Sequence, residues 1–164
     1  MFNVRKLALV LFAALSLFGL ALPATAGEQV PLKGTLEGQI VSATPLDASH
    51  LGLNVVVSGQ ATHLGRFTGQ VQVIQNVADG TFIGTFTWTA ANGDTIFGTF
   101  FGQLIPTQTP GLFYNTEYSL ITGGTGRFAG ATGSTIEAGF VDQSTGVFVH
   151  PFEGTISTVG SKKK

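Results

Sequence analysis

The stretch Thr81-Phe82-Ile83-Gly84-Thr85-Phe86-Thr87-Trp88-Thr89-Ala90-Ala91-Asn92-Gly93-Asp94-Thr95-Ile96-Phe97-Gly98-Thr99-Phe100-Phe101-Gly102-Gln103-Leu104-Ile105 decides the fold. Its pattern repeats every two residues, the period of a strand, not every 3.6. Phe82, Gly84, Phe86 and Trp88 share one face, while Thr81, Ile83, Thr85, Thr87 and Thr89 share the other. Asn92-Gly93 is a hairpin signal, because both residues tolerate positive φ. Beyond it Ile96, Gly98, Phe100 and Leu104 face one way, and Thr95, Phe97, Thr99, Phe101 and Gln103 the other. A strand with Phe on both faces is covered on both sides or sits where subunits meet.

Outward from this hairpin the same period continues, giving eight predicted strands: 34–42, 51–62, 66–76, 81–91, 94–105, 112–122, 132–142 and 147–158. No window of a dozen residues carries a helical stripe. Pro106 and Pro110 mark a loop, since proline cannot donate to a ladder. Glycines inside strands, such as Gly38, Gly69, Gly84, Gly98, Gly102, Gly139 and Gly154, allow the bends that close a barrel. The expected fold is all-β, an antiparallel eight-stranded closed barrel without open edges. A two-sheet β-sandwich is the alternative.

The N-terminus reads as an address. Arg5 and Lys6 precede an apolar run, Leu7 to Leu22, and Pro23-Ala24-Thr25-Ala26 follows with the small-x-small pattern of a cleavage site. The run is shorter than the roughly 20 residues of a membrane span. Residues 1–26 are therefore expected to be a signal peptide and 27–164 a single domain, secreted or periplasmic, with no stable membrane span after cleavage. Of the 164 residues 43% are hydrophobic and only 10% charged, against about 25% charged in an average globular chain. The 14 Phe argue for a packed core and against disorder. A net charge of −1 gives no electrostatic reason to bind nucleic acid. Lys162-Lys163-Lys164 reads as a solvated tail. With no cysteine, disulfides, thiol catalysis and Cys-ligated zinc are excluded.

Ile121-Thr122-Gly123-Gly124-Thr125-Gly126-Arg127-Phe128-Ala129-Gly130-Ala131-Thr132-Gly133 resembles a segment of the allene oxide cyclase and dirigent proteins, nearer the cyclase branch and its bacterial secreted relatives. The likeness implies an eight-stranded antiparallel barrel and association into a homo-oligomer. Physically, Gly123, Gly124 and Gly126 can take positive φ, Phe128 can plug a barrel end, and the Arg127 fork can cap carbonyls or meet an anion. The segment lacks the GK[ST] ending of a phosphate-binding loop. In the plant cyclases a first-strand Glu and a held water act in a hydrophobic cavity, and Glu37 stands on the first strand here. The rest of that polar cluster has no counterpart, so the resemblance implies fold and not activity.

With so few charges, an inward carboxyl would matter, because desolvation raises its pKa into the range of a useful acid or base. Glu37 and Glu117 are the catalytic candidates. Glu37 shares a face with Thr35, Gln39 and Val41; Glu117 shares one with Phe113, Asn115 and Ser119, opposite Tyr114 and Tyr118. Glu137 and Glu153 are expected outside, since each alternates with a more apolar face. Binding candidates are His63 and Arg66 near a predicted turn, Arg127 in the glycine-rich segment, and Trp88. His50, His63 and His150 show no metal-ligand spacing, no G-x-S-x-G occurs, and no metal or cofactor is predicted. Three functions fit: a barrel holding a small hydrophobic molecule, with a solidly filled core as the competitor; a cyclase- or dirigent-type isomerase, which needs a buried carboxyl; or a structural, oligomeric envelope protein.

Overall fold

The structure is a computed structural model that describes residues 27–157. The predicted leader and the Lys162-Lys163-Lys164 tail lie outside the described residues. Eight strands follow in order: β1 Gln29–Pro45, β2 His50–Ala61, β3 Gly65–Asn76, β4 Thr81–Ala90, β5 Thr95–Pro106, β6 Leu112–Gly124, β7 Gly133–Asp142 and β8 Val147–Ser157. Each pairs antiparallel with the next, and β1 pairs with β8, so the sheet closes into an up-and-down barrel. This is the predicted fold, and it excludes the sandwich. Strand ends agree closely with the sequence pattern except in β1, which begins well before Gly34 because Gln29 to Lys33 pair with Glu153 to Ser157.

Closure uses a repeated pairing of glycine with an aromatic ring. Across the ladders, Gly34 faces Phe152, Gly38 faces Phe148, Gly59 faces Phe67, Gly69 faces Trp88, and Gly84 faces Phe100. In each case the ring lies where a glycine Cβ would stand. The missing side chain gives the partner's ring room on the concave face, so large aromatics fit inside a narrow barrel. Two bulges add curvature, one leaving Val41 unpaired in β1 and one leaving Thr122 unpaired in β6.

The two ends of the barrel differ. The β2–β3, β4–β5 and β6–β7 connections close one end, where Leu32, Leu64, Phe67, Ala90, Ile96, Phe128, Ala131, Phe152 and Ile156 are buried. Phe128, on a short 3-10 helix Gly126–Phe128, is the plug that the motif suggested. The Asn92-Gly93 hairpin is a three-residue loop, with Gly93 at φ 87° and its N–H donating to the Ala90 carbonyl. At the other end Asp47, Asn76, Asp79 and Asp142 each accept a backbone N–H two residues on, from Ser49, Ala78, Thr81 and Ser144. These Asx turns hold the rim loops.

Outside, the two-faced β5 sequence has its explanation in an exposed apolar band. Ile83, Phe101, Tyr118 and Ile136 are successive ladder partners on the outer face of β4 to β7. Phe101 packs on Tyr118 and Tyr114 on Phe140, at ring separations of 5.5 and 5.3 Å.

Candidate functional site

The open end leads inward through a vestibule of about 590 Å³ to a chamber of about 90 Å³. Ile40, Leu53, Gln75, Leu104 and Gln143 line both, so the two are continuous. The chamber wall is mostly Val, Leu and Phe, including Val55, Val71, Val73, Phe82, Phe86 and Phe100. The barrel core is therefore filled at one end and hollow toward the other.

Into this apolar chamber project Asn115, Glu117, Glu137 and His150. Alternation in β6 turns Asn115, Glu117 and Ser119 inward, and alternation in β7 does the same for Thr135, Glu137 and Val141. Glu117 and Glu137 are direct ladder partners, which places their Cβ atoms roughly 4.5–5.5 Å apart. The Ser119 hydroxyl donates to Glu117 Oε1 at 2.9 Å. Burial, and then the neighbouring Glu137 charge, push the Glu117 carboxyl well above the ordinary 4.5, against the Ser119 bond, which lowers it. Glu117 therefore stands ready to hold a proton where an ordinary carboxyl would have lost it.

His150 is fully buried on β8. Its Nε2 lies 3.1 Å from the Phe140 carbonyl, which only accepts, so Nε2 carries a hydrogen. Its Nδ1 lies 2.7 Å from Glu137 Oε1. The imidazole rests over Gly139, where a Cβ would strike its ring. His150 thus takes the place that the glycine–aromatic pattern elsewhere gives to Phe or Trp. With both ring nitrogens engaged, it orients Glu137 and is not itself free to meet a ligand. Among the described residues no group of three or more His, Cys, Asp and Glu could hold a metal ion.

The other predicted residues scatter. Glu37 is exposed, on the outer face of β1 beside Val149 and Ser58, because Leu36 and Gly38 take the inward positions. It shares a shallow outer groove with Arg66, away from the chamber. His63 is an exposed turn residue at the closed end, with φ 62°. Arg127 is also at that end: its Nη2 reaches the Leu64 carbonyl at 3.4 Å and its Nε lies 3.6 Å from Asp94 Oδ2. That is carbonyl capping by the fork, with Asp94 as the anion. Glu153 is on the surface, paired with Lys33 at 3.0 Å. Trp88 and Glu117 alone of the candidates line the chamber.

Glu137 is a correction. It was expected outside because Ile136 and Phe140 form the more apolar face of β7, but that face is the exposed one. The outer band draws Ile136 and Phe140 outward and leaves Glu137 inside. His150 was also missed as a site residue. Its signal was its place between Phe148 and Phe152 at two-residue spacing, on a face that is apolar throughout.

No protein-family model matches the chain, and no curated protein sequence does. Solved structures do. The pterocarpan synthase dirigent protein GePTS1 superposes with a TM-score of 0.53 at 16% identity, over 86% of this chain and 91% of that one. The pterocarpan synthase dirigent protein PsPTS1 gives 0.53 at 15% identity, over 82% and 97%. The chain shares the dirigent barrel fold.

Proposed function

We propose that the barrel binds a small, neutral, largely apolar molecule through its open end, and that it does so outside the cytoplasm. The observation that carries this is the one-ended chamber, its wall mostly apolar, with Asn115, Glu117, Glu137 and His150 projecting into it and Gln75 and Gln143 toward its mouth. A solid core would have stabilised the fold without either chamber or buried carboxyls. Among the described residues no Lys or Arg lines the chamber, so an anionic ligand would meet carboxyls there and no counter-charge. The leader-like pattern of residues 1–26 supports export.

The test is to purify the protein gently and measure its mass under native conditions, beside a Val73→Phe variant that fills the chamber. A bound small molecule in the wild type, lost in Val73→Phe, is the expected result. If the wild type carries nothing and no apolar probe shifts its melting temperature, the reading is overturned.

A second reading, that the bound molecule is isomerised or cyclised, is favoured by one observation. Glu117, pushed toward its protonated form by burial, stands beside Glu137, which His150 orients. A protonated carboxyl beside a second, oriented carboxyl in one apolar chamber can give a proton to a bound ligand and the pair can take one back, shielded from water. The dirigent neighbours named as pterocarpan synthases, and the cyclase-like turn at 121–133, agree with this reading. Ligand recovered from Glu117→Gln would then differ in chromatographic retention, at identical mass, from that recovered from the wild type. Identical eluates would leave a binding protein.

A further inference from the structure

Trp88 is the sole tryptophan of the chain. It lines the chamber and is buried, with Phe67 stacked on its ring at 4.8 Å and Phe86 and Phe152 at 5.0 and 5.2 Å. Phe67 and Phe152 belong to the packed closed end, and Ala90, the next inward residue of β4, is buried there too. Trp88 is thus the deepest chamber residue on its strand, the floor above the plug. Its Nε1 is the one buried side-chain polar atom, among the described residues, that has no hydrogen-bond partner. Buried indole N–H groups are ordinarily paired, because an unmade bond is costly in an apolar surrounding. A phenylalanine would have packed at this place without that cost, as Phe does in the other glycine–aromatic pairs of the barrel.

We propose that the Trp88 indole N–H is the donor that orients the bound molecule, and that the chamber takes a neutral, ring-sized, apolar molecule carrying an oxygen acceptor of the ketone or ether class. The proposal rests on the reading of the chamber as a ligand site and adds the acceptor group and its depth. The apolar wall selects for hydrocarbon, the absence of Lys and Arg from the lining selects against anions, and the N–H selects for an acceptor at the chamber floor. The vestibule leaves room for a larger remainder of the molecule to extend toward the rim.

The test uses two probes of nearly equal shape, acetophenone and α-methylstyrene, which differ by a carbonyl oxygen in place of a methylene. Both are titrated into the 15N-labelled protein, whose single tryptophan gives a single indole 1H–15N signal. The expected result is that acetophenone binds roughly five- to tenfold more tightly, the gain of one hydrogen bond, and moves the indole proton downfield. Trp88→Phe should then lower the ratio of acetophenone to α-methylstyrene affinity by at least that factor, because the ketone would be buried without its donor, whatever the smaller ring does to both affinities together. A cooperative thermal melt shows that the variant keeps the barrel. If both probes bind the wild type alike and the indole signal shows no acceptor-dependent shift, the Trp88 proposal fails while the chamber reading stands. A preference for acetophenone that survives in Trp88→Phe assigns the donor elsewhere and also overturns it. If neither probe binds at millimolar concentration, the chamber reading fails and takes the proposal with it.

Discussion

Glu117 and Glu137 face each other across the β6–β7 ladder, both turned into the barrel. Two carboxyls side by side in an apolar chamber resist double ionisation. Here the conflict is resolved asymmetrically. His150 bonds to Glu137, and Glu117, with only the Ser119 hydroxyl, is driven toward its neutral form.

That asymmetry sets a pH dependence. Glu117 has its folded pKa raised above the ordinary 4.5, so the native state holds this proton more tightly than the unfolded chain. Its contribution to stability is complete below about pH 4.5 and is lost as the pH rises through the interval up to the folded pKa. The slope for one proton is about 1.4 kcal/mol per pH unit. Glu117→Gln, which cannot ionise, should be flatter over this interval and more stable than the wild type above it. Urea denaturation at a series of pH values from 4 to 9 checks this, and parallel curves for the two proteins would refute it.

The buried His150–Glu137 pair should behave as a unit. His150→Ala strands the Glu137 carboxyl and the Phe140 carbonyl, at an expected cost of about 3–5 kcal/mol. The double variant His150→Phe with Glu137→Leu restores the glycine–aromatic pattern over Gly139 and removes the buried polar pair. It should recover most of that loss, with the Phe140 carbonyl alone still lacking its donor. Chemical denaturation of both variants measures the difference. Should the double variant be as unstable as His150→Ala, the pair would be a requirement of the fold and not of the chamber.

Neighbouring residues in the 121–133 motif should differ sharply in weight. Phe128 is buried at the closed end, and Phe128→Ala should cost about 3–5 kcal/mol. Arg127 has a half-exposed side chain, and its pair with Asp94 at 3.6 Å should contribute no more than about 1 kcal/mol. Thermal unfolding of Phe128→Ala and Arg127→Ala orders the two. Equal losses would show that the guanidinium secures the plug as much as the ring does and overturn the ordering.

The fold was legible because alternation, Asn92-Gly93 and the strand glycines are local signals, and each strand pairs with its neighbour in sequence. The chamber was less legible. Which face of a strand turns inward depends on what covers the other face, and that is not a local property. In β4 the Phe82–Trp88 face is plainly the more apolar, and it is inside. In β7 the rule inverts, since the outer band claims Ile136 and Phe140 and leaves Glu137 within. Glu37 shows the opposite limit: its strand position matched the resemblance, but its neighbours Leu36 and Gly38 hold the inward places. The orphan N–H of Trp88 could not have been read from sequence at all, because an unmade bond is visible only once its surroundings are.

The rim gives the last prediction. Asp47 and Asp79 lie on loops at the open end and Asp142 ends β7 there, and each has its pKa lowered from the ordinary 3.8. The leading causes are the Ser49 backbone N–H for Asp47, the Thr81 hydroxyl for Asp79 and the Ser144 hydroxyl for Asp142. A carboxyl with a lowered folded pKa contributes stability that is present above about pH 3.8 and is lost as the pH falls through the folded value. Asp47 and Asp79 are exposed and Asp142 is part-buried at the solvent-facing rim, so each contribution is small, but all three act in the same direction. Asparagine keeps the Asx-turn acceptor and removes the charge. The triple variant Asp47→Asn, Asp79→Asn, Asp142→Asn should keep the barrel at neutral pH and lose less stability than the wild type between pH 4 and 2. Circular dichroism melts across that range check it. An acid limb unchanged by the triple substitution would show that the rim turns are held by their backbone geometry alone, with the carboxylate charge contributing nothing.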